Sequence, residues 1–93
     1  MLWVLITSYV VIIMLELYAK KGCPFCAKVL NFASTNAISI LVKDISNEDY
    51  VAELVEKGGK HQVPFLHDTD TGTMMYESDD IVEYLRGFNI ATS

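Results

Sequence analysis

The only two cysteines of the sequence, Cys23 and Cys26, stand three positions apart in Tyr18-Ala19-Lys20-Lys21-Gly22-Cys23-Pro24-Phe25-Cys26. An apolar run precedes them and a helical pattern follows, so the stretch reads as strand, turn and helix start. Cys23 then falls near the N-cap and Pro24 at the first helical position, where a proline's missing N–H would have had no intrahelical partner. The Cys23 sulfur faces the free N–H groups of Phe25 and Cys26 and the positive end of the helix dipole. Lys20 and Lys21 add cationic charge. Such settings favour the thiolate and bring a cysteine pKa to about 3.5–7.5. Positions i and i+3 on a first helical turn also bring two sulfurs within disulfide range. This is the arrangement of a redox dithiol.

Other uses of two cysteines fit less well. A structural disulfide belongs to secreted chains with more cysteines and needs no charged helix terminus. Zinc wants four ligands, and the other soft donors, His61 and His67, lie far from finger spacing around Val63-Pro64-Phe65-Leu66. No metal is expected. Ala27 follows Cys26, so the haem-attachment signature Cys-x-x-Cys-His is absent. A reactive pair with no other cysteines suits a reducing compartment, and a cytoplasmic protein is expected.

Size and charge narrow the classes further. Ninety-three residues, 52% of them apolar, make one globular domain with a modest core. The net charge of −5, with no basic stripe, argues against nucleic acid. Charge is unevenly divided, at +3 over residues 1–43 and −8 over residues 44–93. The cationic share gathers around the Cys-x-x-Cys, where it attracts a thiolate or an anionic thiol substrate.

Several elements must position that pair. Met1–Leu15 has thirteen apolar residues of fifteen and no charge. It has no basic n-region and no cleavage site, and it is too short to span a membrane once Leu15–Lys20 is needed as a strand. Its β-branched residues let extended structure compete with helix. Met14 is a second plausible start, which leaves residues 1–13 as an apolar extension that packs as an added element, buries itself in a homodimer or touches a membrane. Packing or self-association is favoured, because a large apolar surface in water is costly. From Met14 the chain reads as a strand with Leu15, Leu17 and Ala19 on one face. Pro24–Asn36 reads as a helix, with Cys26, Val29, Leu30, Ala33 and Ala37 in helical register and Phe32 flanking. Ile38–Val42 is a short β-branched run. Asn47 starts a second helix with Val51, Leu54 and Val55 on its apolar side, ended by Gly58-Gly59. Gln62–His67 is a strand entered through Pro64. Asp68–Gly72 is a turn, and Thr73–Tyr76 the returning strand of a hairpin. Ser78-Asp79-Asp80 opens a helix that buries Ile81, Val82 and Leu85 and stops at Gly87. The order is β-α-β-α-β-β-α, and its first half is a βαβ unit with parallel strands.

With that order, Lys20-x-x-Cys23-Pro24-Phe25-Cys26, Gln62-Val63-Pro64 and Tyr76-Glu77-Ser78-Asp79-Asp80 together resemble a dithiol glutaredoxin. The resemblance implies an α/β thioredoxin-like fold built on a four-stranded mixed sheet, with residues 14–93 as the glutaredoxin domain. The region from Val63 onward also resembles the N-terminal domain of glutathione S-transferases, whose second, helical domain is not expected in a chain of this length. The resemblance implies a glutathione-dependent thiol–disulfide oxidoreductase, with glutathione as co-substrate and disulfide-containing or glutathionylated proteins as partners. Cys23 is the implied nucleophile and Cys26 the resolving thiol. Lys20 is implied to hold a glutathione carboxylate. Phe25 stands where the family commonly has tyrosine. Gln62 belongs to the same implied glutathione surface. Val63-Pro64 is the implied cis-proline site, where the Val63 backbone pairs with the cysteinyl part of glutathione as an added strand would. X–Pro bonds are cis in only about 5–6% of cases, so the cis geometry rests on the resemblance. Ser78 and Asp79, with Glu77, are implied to hold the γ-glutamyl end.

That last site has a physical logic of its own. A helix N-terminus offers free N–H groups to a carboxylate, and Asp79 offers a counter-charge to an α-amine, which together suit one amino-acid zwitterion. By themselves the same residues also describe a well-capped helix, with Ser78 as cap. His61 and His67 read as surface or strand-edge residues, and Met74-Met75 as packing residues. Two rival functions share the dithiol. One is a glutathione-independent thioredoxin-like reductase. The other is a carrier of a glutathione-ligated [2Fe–2S] cluster between protomers, against which Pro24 weighs by restricting the turn.

Overall fold

A computed structural model describes residues 15–92. The expectations for residues 1–13, and for Met14 as a start, lie outside the described residues. The elements are β1 (Leu15–Ala19), α1 (Pro24–Thr35), β2 (Leu41–Asp44), α2 (Glu48–Gly58), β3 (Phe65–Asp68), β4 (Thr73–Met75) and α3 (Ser78–Thr92). They follow the order read from the sequence.

The strands form one mixed sheet in the order β2-β1-β3-β4. β1 pairs in parallel with β2, and the helix α1 connects them, while β1–β3 and β3–β4 are antiparallel. Alternation along the strands divides the core in two. Leu15, Leu17, Ala19 and Leu66 face Cys26 and Val29 of α1 and Ile81, Val82 and Leu85 of α3. Tyr18 and Phe65 point to the opposite face and pack with Leu54 of α2. Each full burial of such an apolar side chain contributes about 1.5–3 kcal/mol.

A polar network closes the second face. The Tyr18 hydroxyl donates to Glu53 at 2.8 Å and accepts from Lys57 at 3.2 Å. Lys43 of β2 reaches Glu53 at 2.9 Å and Glu16 of β1 at 3.3 Å. Two strands and a helix are thereby tied together through half-buried charges that satisfy one another. At the hairpin, buried Asp68 accepts from the N–H groups of Asp70 and Thr71 and from the Tyr84 hydroxyl of α3.

Several expectations are corrected. The β-branched run 38–42 is mostly connection, because the ladder with β1 begins only at Leu41, opposite Glu16, and runs to Asp44. Gly87 does not stop α3, which continues to Thr92. Gly87 is not among the residues with positive φ, so it does not supply the left-handed turn of a helix stop. Val55 is exposed, and the buried side of α2 turns toward Leu54 with Tyr50. Met74 is exposed rather than packed. His67 lies on the inner strand β3, half-buried beside Glu16 at 3.5 Å, not at a strand edge. Among the described residues no helix is long and apolar enough to cross a membrane.

Candidate functional site

The turn between β1 and α1 builds the dithiol. Gly22 takes φ +82°, a left-handed conformation that a residue with a side chain adopts only under strain. Cys23 follows as the N-cap with extended backbone, and Pro24 occupies the first turn. The Cys23 Sγ accepts the Cys26 backbone N–H at 3.3 Å. Sulfur thus takes the place that a Ser or Asp oxygen fills at most helix starts.

The two thiols are driven apart. Burial pushes the Cys23 thiol up, but the hydrogen bond from the Cys26 thiol, the N–H groups of Cys26 and Phe25 and the charge of Lys20 together outweigh it. Its pKa is held below the ordinary thiol value. Cys26, only 2% exposed, is pushed up to about 11 by burial first and then by its hydrogen bond to Cys23. The pair consists of one accessible sulfur inclined to ionise and one covered sulfur that keeps its proton.

Cavities lie along both flanks. The first, about 380 Å³, is lined by Phe25 and Lys28 of α1, Gln62-Val63-Pro64 before β3, and Tyr76-Glu77-Ser78-Asp79 at the start of α3. The Val63–Pro64 peptide bond is cis. All the residues expected at a glutathione surface line this groove except Lys20. Lys20 belongs instead to a cavity of about 500 Å³ with Lys21, Asp44, Ile45, Ser46 and His61. His61 is exposed, as expected for a surface residue, yet it shares that cationic cavity.

At the mouth of α3, the helix already includes Ser78, and the Glu77 carbonyl accepts the Ile81 N–H at 2.9 Å. The cap position therefore falls on Glu77 rather than Ser78, whose side chain is buried. The first-turn N–H groups point outward at a helix N-terminus, where an anion is favoured. Phe25 is 61% exposed, a large apolar surface two residues from Cys23.

Two groove residues carry no role in the sequence reading. Lys28 sits i+3 from Phe25 on α1, a spacing that signals a shared helix face, and its ammonium bonds the Asp79 carboxylate. Tyr76 is anchored where its hydroxyl accepts the Lys60 N–H and donates to the Lys60 carbonyl, both at 3.0 Å. Its ring packs on Phe65 at 4.6 Å. Tyr76 stands in the stretch that carries the resemblance, but its anchoring is not legible there, because the partner that fixes it is sixteen residues away.

Fold and site together define the thioredoxin-like class, with a four-stranded mixed sheet and a Cys-x-x-Cys at the start of its first helix. Within it, the family described as glutathione S-transferase, N-terminal domain, matches residues 17–87, and the chain belongs to that family. Among solved structures it is similar to a glutathione S-transferase from the Antarctic clam Laternula elliptica, at 28% identity and a TM-score of 0.68. That match covers 81% of this chain and 35% of the other. It is also similar to glutaredoxin 2 from Salmonella typhimurium in complex with glutathione, at 31% identity and a TM-score of 0.66, over 76% of this chain and 32% of that one. Glutathione transferase Omega 3C from Trametes versicolor shares the fold, with a TM-score of 0.70 at 23% identity, over 80% of this chain and 33% of that one. This chain spans about a third of the length of these structures. Among curated proteins nothing matches.

Proposed function

We propose that this protein is a glutathione-dependent thiol–disulfide oxidoreductase of glutaredoxin type, acting on glutathione mixed disulfides and on protein disulfides in the cytoplasm. The observation that carries the reading is the division between the two thiols. Cys23 is lowered and partly exposed, whereas Cys26 is buried and raised to about 11. A transferase that only conjugates glutathione needs the tripeptide's own sulfur as nucleophile and gains nothing from such a pair.

In the first step, Cys23 thiolate attacks the glutathione sulfur of a mixed disulfide. The Cys23–glutathione bond forms, the old S–S bond breaks, and the electron pair leaves on the substrate sulfur, which takes a proton from water. A second glutathione thiolate then attacks the glutathionyl sulfur on Cys23. Glutathione disulfide departs and Cys23 leaves as thiolate. A low pKa makes Cys23 a good leaving group in this step, as it made it ionised in the first. With a protein disulfide, Cys23 forms a mixed disulfide with the protein. Cys26, after losing its proton, attacks the Cys23 sulfur. The Cys23–Cys26 bond forms, the bond to the protein breaks, and the reduced protein leaves as thiolate. Two glutathiones then return the pair to the dithiol as glutathione disulfide departs.

The groove gives glutathione its place in this scheme. The Val63 backbone pairs with the cysteinyl part, as in strand addition. The N-terminus of α3 receives the γ-glutamyl carboxylate, and Asp79 receives the α-ammonium. Lys20, with His61 in the second cavity, receives the glycyl carboxylate. The test is mass spectrometry after brief exposure to glutathione disulfide. A single glutathionyl adduct on Cys23 is expected. Formation of only the Cys23–Cys26 disulfide, with no saturation by glutathione, would instead favour a thioredoxin-like reductase.

A further inference from the structure

Lys28 and Asp79 meet across the groove, one from α1 and the other from α3. Neither is held there by burial, since their side chains are 51% and 81% exposed. The pair is a surface ion pair, weak and open to exchange with any competing cation. Its chemistry matches what the groove is otherwise set to receive. The lysine ammonium and the α-ammonium of a γ-glutamyl group are both primary ammonium ions. In the glutathione reading above, on which this inference rests, both seek the Asp79 carboxylate.

Two ammonium ions on one carboxylate repel each other, so the incoming group gains the full attraction of Asp79 only after Lys28 leaves. We infer that Lys28 is an internal competitor for the α-ammonium of glutathione, occupying Asp79 in the free protein and setting the affinity of the groove by its displacement. Lys28 is thus a specificity-determining residue. It opposes ligands through their ammonium and leaves the rest of the tripeptide untouched. It also bridges α1, which Cys23 caps and which carries Cys26, to the start of α3, so the charge of Asp79 is satisfied within the protein.

The test is titration calorimetry of the whole chain with reduced glutathione and with its desamino analogue, in which the α-ammonium is replaced by hydrogen. Wild type, Lys28→Met and Lys28→Arg are compared; methionine keeps the apolar stem, and arginine keeps the cation. Lys28→Met is expected to bind glutathione about two- to fivefold more tightly than wild type, the range set by loss of an exposed pair. Lys28→Arg should stay at the wild-type value, and the analogue should bind all three proteins equally. Unchanged or weaker glutathione binding by Lys28→Met overturns the inference, because Lys28 then does not compete. Equal tightening of the analogue overturns it too, because the effect is then not directed at the ammonium. If none of the three proteins binds glutathione, the glutathione reading itself fails and this inference with it. Wild-type binding without a Lys28 effect removes the inference alone.

Discussion

Cys23 and Cys26 begin as the same thiol and differ only in what surrounds them. Cys23 gains a hydrogen bond from the Cys26 thiol, the N–H groups of the first helical turn and the charge of Lys20, and together these outweigh its burial. Cys26 lies inside α1 against the core and is raised to about 11. Their roles should separate under mutation. Cys23→Ser should abolish both deglutathionylation and protein-disulfide reduction. Cys26→Ser should keep deglutathionylation and lose most of the turnover on protein disulfides. Equal loss in both variants would contradict the assignment. The same environment sets the pH dependence. Alkylation of Cys23 should rise with pH along a titration whose midpoint lies below the ordinary thiol value. Removing a cation destabilises the thiolate, so Lys20→Ala should move that titration upward, as read by thiolate absorbance near 240 nm. A titration that stays in place would mean that the Cys26 thiol and the helix terminus lower Cys23 without help from Lys20.

The helices show where local signals succeed and where they stop. Asn47 was legible as an N-cap because its own side chain accepts the Asp49 N–H at 2.8 Å. The end of α1 was not. Ala37 reads as one more apolar helical position, yet it lies past the C-cap with φ +56°. There the Ala37 N–H donates to Ser34 at 3.3 Å, and the Ile38 N–H donates to Ala33 at 2.9 Å. This is a Schellman closure with alanine where glycine is usual. Its cause is tertiary: Ile38 and Ile40 must pack on the core before the chain enters register with β1 at Leu41. Because a Cβ in the left-handed region costs about 1–2 kcal/mol, Ala37→Gly should stabilise the fold by roughly 0.5–1 kcal/mol after glycine's greater unfolded-state entropy is deducted. Urea unfolding measures this, and a loss of stability would mean that the turn is not strained. Gly58, at the end of α2, predicts the opposite sign. An added Cβ would fall 2.7 Å from the Tyr76 ring and 2.9 Å from that of Phe65. Gly58→Ala should cost about 1–3 kcal/mol, as overpacking does. It should also weaken glutathione binding by moving Tyr76 from the groove wall. If stability falls with affinity unchanged, Tyr76 does not shape the site.

At the scale of the whole molecule, the site is a meeting of three distant stretches, and this explains how much of it could be read. The dithiol announces itself through spacing, and the order of elements brings Gln62-Val63-Pro64 and Glu77-Ser78-Asp79 to one groove. The separation of Lys20 into the second cavity was not legible, nor was the reach of Lys28 to Asp79 fifty-one residues away, because side-chain direction is settled only by packing. Charge distribution is legible at any scale. The protein carries −5 overall but +3 through residue 43, and Lys20 and Lys21 stand in the turn just before Cys23. Glutathione disulfide is itself anionic, so the overall charge repels it while the local charge draws it in. Within a Debye length of about 10 Å at 0.1 M salt, the nearby lysines should dominate the encounter. The rate of Cys23 glutathionylation should therefore fall about two- to fivefold between low and high salt. With a neutral reagent such as hydroxyethyl disulfide, the rate should stay nearly flat. A rate that rises with salt would show that the net charge governs the encounter instead, and an equal fall with both disulfides would trace the effect to the Cys23 thiolate rather than to steering of the substrate.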